Sequence, residues 1–151
     1  MIQTQHSLTD LYLADETAWL ESMVDRLQSG AYAELDYANL KEYLSDMAGR
    51  DRREVESRLV VVLTHILKWA YQPDRRSRSW RSSIIEQRQE LARLAARGVL
   101  RNHAESVLSD VYSEALERAS AETGLPVEHF AAECEYTFDE LLFFDPVLPD
   151  A

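Results

Sequence analysis

Between Arg52 and Tyr71 the chain sets Val55, Leu59, Val62, Leu63, Ile66 and Trp69 at helical steps, with Val60, Val61 and Leu67 widening that face. A helix apolar around most of its circumference needs neighbours on several sides, so the rest of the chain must wrap it. The material for wrapping is helical too. Four Gly and four Pro in 151 residues leave little substance for turns, which favours few and long elements, and no segment alternates with period two. The expectation is an all-α, single-domain helical bundle of about five main helices, with short C-terminal helices and an extended tail.

Local signals place the other helices. Ser7 or Thr9 can cap a first helix from about Leu8 to Ser29, with Gly30 beyond it; Leu13, Leu20, Val24 and Leu27 form its stripe beside Trp19. Asp36 reads as the cap of a second helix carrying Leu40, Tyr43, Leu44 and Met47. Ala48-Gly49-Arg50-Asp51 can end it and begin the third, although a Gly inside a helix costs only about 1 kcal/mol and a continuous helix is compatible. Arg52/Glu56 and Glu54/Arg58 can pair one turn apart on the third helix, which Pro73 closes. Ser77 or Ser79 caps a fourth helix to about Arg97, with Trp80, Ile84, Leu91 and Leu94 inward. A fifth runs from about Asn102 to Glu122, ended by Gly124; Pro126 opens a short helix, and Thr137 caps a last one through Leu142.

Charge is segregated along this scaffold. The net charge of −11 divides into an acidic first third (residues 1–49, nine acids and two bases), a basic middle (50–101, six acids and thirteen bases) and an acidic end (102–151, twelve acids and one base). The expectation is that the anionic ends neutralise the cationic middle; the alternative is a basic face kept open for a polyanion. Cys134 is the only cysteine, which excludes an intrachain disulfide and suits a reducing compartment. The polar N-terminal stretch has neither a basic nor an apolar signal region, and no apolar run approaches the ~18 residues that span a bilayer. A cytoplasmic protein without membrane contact is the expectation.

One block carries a family likeness. LTHILKWAYQPDRRSRSWRSSIIEQR, preceded by LDYANLKEYLSDMAGRDRREVESRL and followed by ETGLP and YTFDELL, resembles the bacterial domain of unknown function 29 family, over roughly residues 8 to 148. That resemblance implies a small all-helical protein and brings with it no activity, substrate, cofactor or catalytic residue. The chain departs from the family pattern at Tyr43 and Ser45, where members are more acidic, and this weakens the case for a carboxylate cluster there.

Candidate sites concentrate at the turn after the third helix. Arg75, Arg76, Arg78 and Arg81 surround Trp80, and Arg88 follows two turns on. Guanidinium forks grip phosphate or carboxylate, and an indole offers a stacking face. The plainer reading is that these arginines pair inside the molecule, with acids or with the carbonyls that end the third helix. His65, one turn before Trp69, reads as a core histidine ahead of a general base, and His6, His103 and His129 are isolated. No HExxH or CxxC occurs, so neither metal nor cofactor is expected. Glu133 and Glu135 flank Cys134 and disfavour its thiolate; Glu21/Asp25, Glu114/Glu117 and Asp139/Glu140 read as solvated helix faces. The tail LLFFDPVLP should cross a groove of its own bundle, the alternative being a second copy.

These readings lead to a non-enzymatic interaction or regulatory protein, monomeric or homodimeric, that engages an unknown macromolecular partner. Nucleic-acid binding through the Arg75–Arg81 turn is the alternative, disfavoured by net charge, and an enzyme with an unrecognised site near His65 is the third.

Overall fold

The computed structural model describes residues 5–149, and side chains from Ser7 onward. Among the described residues its regular structure is helical, with six α-helices and no strand: α1 (Gln5–Ala14), α2 (Glu16–Gln28), α3 (Tyr37–Tyr71), α4 (Arg78–Ala95), α5 (Gly98–Thr123) and the short α6 (Phe138–Leu142). The first five are the main helices, and the all-α expectation holds. Contacts divide the chain into two units, residues 1–49 and 50–151. The side chain of His6 lies outside the described residues.

In the first unit the sequence suggested one helix, and the structure has two. Asp15 interrupts it: its backbone leaves the helical region (φ −151, ψ 85) and its carboxylate accepts the Ala18 amide at 3.1 Å, capping α2. The buried face is Leu8, Trp19 and Met23, with Leu11, Tyr12, Leu20, Leu35, Leu40 and Tyr43 packed around them. Leu13, Val24, Leu27 and Leu44, expected to be buried, are exposed. The restart at Glu16 shifts the register between α1 and α2, so Leu13 no longer continues the stripe of α2.

The polar centre of this unit is Asp36, only 2% exposed. Its carboxylate accepts the Trp19 indole N–H at 3.1 Å and the Asn39 side chain at 2.8 Å, and lies 3.5 Å from the Asn39 amide where α3 begins. Asn39 also donates to Thr9 at 3.2 Å. A buried carboxylate is tolerable only when its oxygens are bonded in this way.

α3 runs unbroken for 35 residues, so Gly49 does not end a helix. In the second unit its Val55, Leu59, Val60, Val62, Leu63, Ile66, Leu67 and Trp69 are buried as the periodicity required, while Val61 is only half-buried; Ile84, Leu91 and Ala95 of α4 and Val111, Tyr112, Ala115 and Ala119 of α5 are buried with them. Arg58 pairs with Glu54 at 3.0 Å and reaches Gln87 of α4 at 3.1 Å. Glu56 faces His103 of α5 at 3.3 Å and not Arg52. Only two residues separate α4 from α5, and the reversal rests on Gly98 at φ 76, a conformation costly to any side chain. Gly124 ends α5 in the same region, and Val127–His129 forms one 3-10 turn where a short α-helix was expected. Thr137 and Glu140 form a reciprocal capping box on α6.

Candidate functional site

Pro73 removes the chain from α3, and one 3-10 turn, Pro73–Arg75, follows. Ser77 restarts the helix: its backbone is extended and its hydroxyl accepts the Trp80 amide at 3.2 Å. Between them Arg76 folds back, its Nε donating to the Trp69 carbonyl at 2.8 Å and its guanidinium lying 5.1 Å from the Trp69 ring centroid. A carbonyl in the last turn of a helix has no partner within the helix, so Arg76 satisfies it and staples the turn.

Arg81 and Arg88, two turns apart on one face of α4, hold the C-terminal tail. Arg81 Nε donates to the Pro146 carbonyl at 3.0 Å and Arg88 donates to the Phe144 carbonyl. Pro146 is buried, Phe144 and Leu148 pack on the core, and Phe144 meets Tyr136 edge-on at 5.9 Å. Phe143 and Val147 point outward, 79% and 64% exposed. The tail therefore crosses a groove of its own chain.

Arg75 and Arg78 differ from their neighbours. Both are exposed, and among the described residues neither side chain has a hydrogen bond or an ion pair. Trp80 is half-buried against the core, with Lys68 Nζ 4.6 Å from its ring centroid, so it offers no open stacking platform. The expected neutralisation by acidic flanks occurs elsewhere in the second unit, in Lys68–Glu122 at 3.3 Å and Arg101–Asp139 at 2.7 Å. None of the five arginines of the turn pairs with a carboxylate among the described residues. The reason is local: the segments passing this turn present backbone carbonyls, and three guanidiniums take those.

His65 is half-buried on α3, with Nδ1 2.8 Å from the Val61 carbonyl one turn earlier. That geometry fits a structural imidazole. His129 packs at 5.7 Å against Tyr71 and 5.9 Å against Phe130. Cys134 is half-buried and bonds the Tyr136 carbonyl at 3.3 Å; burial first, then Glu135 and Glu140, push its thiol up, partly offset by that bond. The paired carboxylates are exposed; Glu114 meets Arg118, Asp139 meets Arg101 and Glu140 serves in the capping box. Among the described residues no group of three His, Cys, Asp or Glu is placed to hold a metal ion, and no helix is long and apolar enough to cross a membrane.

One feature escaped the sequence. A cleft of about 90 Å³ is lined by Ile66, Leu67, Ala70 and Tyr71 of α3, Tyr112 of α5, and Ala131, Glu135 and Tyr136 of the segment before α6. Tyr112 donates to the Ala131 carbonyl at 2.5 Å while the Ala131 amide donates to the Tyr71 hydroxyl at 3.0 Å. Burial, reinforced by nearby negative charge, pushes Tyr112 up to about 12 and raises Tyr136 as well. Its residues are scattered from 66 to 136 with no shared motif, so no local signal could have gathered them.

Fold and turn together define an all-helical protein with an arginine turn stapled to the end of α3 and to the C-terminal tail. The chain belongs to the family described as Domain of unknown function DUF29, which it matches over residues 11–145. No curated protein and no solved structure matches it.

Proposed function

We propose that this is a non-enzymatic interaction protein that engages an acidic surface of another protein through Arg75 and Arg78. The observation that carries the reading is the division of labour within the turn. Arg76, Arg81 and Arg88 are committed to backbone carbonyls, whereas Arg75 and Arg78 are exposed and without a partner among the described residues. The Arg76 staple and the Ser77 cap hold the backbone that presents them, which lowers the entropic cost of engaging a carboxylate. A net charge of −11 opposes attraction to the dense charge of a nucleic acid, which needs many phosphate contacts, whereas two arginines can pair at short range with one or two carboxylates on a protein of otherwise modest charge.

The same reading places the protein in a bacterial cytoplasm, as a monomer or homodimer. Its support is the family resemblance and the single, half-buried cysteine.

The test is affinity capture from native lysate, with and without nuclease, comparing the wild-type chain with the double reversal Arg75→Glu/Arg78→Glu. The expected result is a protein partner retained after nuclease, lost in the variant, with an unchanged melting temperature. Capture that vanishes with nuclease, and affinity that falls steeply between about 50 and 200 mM salt, would establish the nucleic-acid alternative instead. Capture indifferent to the reversal would sink both.

A further inference from the structure

We infer that the cleft lined by Tyr71, Tyr112, Tyr136 and Glu135 binds a small organic cation, an alkylated ammonium group. This site is independent of the arginine turn. Its lining supplies three phenols, one carboxylate and an apolar floor of Ile66, Leu67 and Ala70, with no Lys, Arg or His. An anion would meet no compensating charge there and would be repelled by Glu135. A cation finds the opposite: a carboxylate, and aromatic rings whose quadrupoles attract positive charge. The apolar floor suits alkyl substituents on the nitrogen, which a bare ammonium ion lacks.

Size narrows the class further. The cleft, about 90 Å³, is smaller than the ~150 Å³ apolar cavity that admits benzene, so the buried part of the ligand is a handful of heavy atoms. The inner part of a methylated ammonium head, two methyl groups beside the nitrogen, fits that description with the remainder at the open mouth, whether the head is free or at the end of a longer molecule.

The walls are set before a ligand arrives. Tyr71 and Tyr112 are bolted to opposite sides of one residue, Ala131, through its amide and its carbonyl. Tyr71 also meets Phe130 edge-on at 5.0 Å, and Tyr136 meets Phe144 at 5.9 Å. Rings fixed in this way lose little freedom on binding. The Tyr136 hydroxyl has no hydrogen bond among the described residues, which leaves it available to a ligand. The raised Tyr112 and Tyr136 phenols agree with the polarity: after burial, Glu135 is among the negative groups that hold them neutral.

The experiment titrates choline into the full-length, isotope-labelled protein, following amide shifts, with sodium chloride as the ionic-strength control. The uncharged isostere 3,3-dimethylbutan-1-ol is titrated in parallel. Saturable shifts should cluster at Ala70, Tyr71 and Ala131 to Tyr136, and the neutral isostere should bind about tenfold more weakly or worse. Glu135→Gln should weaken choline about fivefold or more with an unchanged melting temperature, whereas Glu128→Gln, an exposed carboxylate outside the lining, should leave it unaltered. Tyr136→Leu should abolish binding. Equal affinity for the neutral isostere, insensitivity to Glu135→Gln, or no saturable shift up to about 10 mM choline would overturn the assignment.

Discussion

Asp36 gathers the buried polar groups of the first unit. Its carboxylate serves the Trp19 indole and the Asn39 side chain at once, at a site 2% exposed. Asp36→Ala would strand a buried indole N–H and should destabilise the protein by roughly 3 kcal/mol in urea unfolding, with a changed Trp emission. Asp36→Asn should lose less, because one oxygen still accepts. The arginine turn gives a sharper contrast. Arg76→Ala removes the donor to the Trp69 carbonyl and should cost about 1–3 kcal/mol, while Arg75→Ala should leave stability within about 0.5 kcal/mol. Equal effects would contradict the division between staple and free surface. Tyr112 supplies a pH prediction. Its folded value, about 12, lies above the ordinary 10, so folding holds the phenol neutral. The stabilisation is complete below pH 10, where both states are protonated, and is lost between about 10 and 12 as the unfolded chain ionises first. Thermal melts of wild type should therefore fall more steeply across that range than those of Tyr112→Phe.

At the scale of elements, termini decide more than periodicity. Trp19 and Met23 lie one turn apart and are buried, yet Leu13 is exposed because Asp15 ends α1 and caps α2. Asp15→Ala should reduce helicity and stability by about 1 kcal/mol, read by circular dichroism and urea unfolding. Gly49 illustrates the converse. The sequence left a stop or a continuous helix open there, and helical bonding continues through it, since a central Gly lowers helix stability by only about 1 kcal/mol. Gly49→Ala should therefore raise stability, by up to about 1 kcal/mol; a loss of helicity would mean that the glycine is needed as a joint. The capped starts at Ser77 and Thr137 were legible because their signal is confined to three or four residues.

For the whole chain, charge complementarity is real but selective. Lys68–Glu122 and Arg101–Asp139 join the basic middle to the acidic end, and burial of α3 draws α4, α5 and α6 around one core. We propose that the 151 residues unfold as a single domain. Calorimetry should give one transition whose calorimetric and van't Hoff enthalpies agree; two resolved transitions, assignable to residues 1–49 and 50–151, would reject it. The helical class, the buried face of α3 and the position of the arginine turn follow from the sequence by itself, because spacing, caps and proline act over a few residues. Which arginines are engaged, where the tail lies and which tyrosines share a cleft were decided only in three dimensions. Those outcomes depend on which backbone carbonyls and rings arrive beside one another from positions as far apart as 66 and 146, and no local rule of spacing encodes such a meeting.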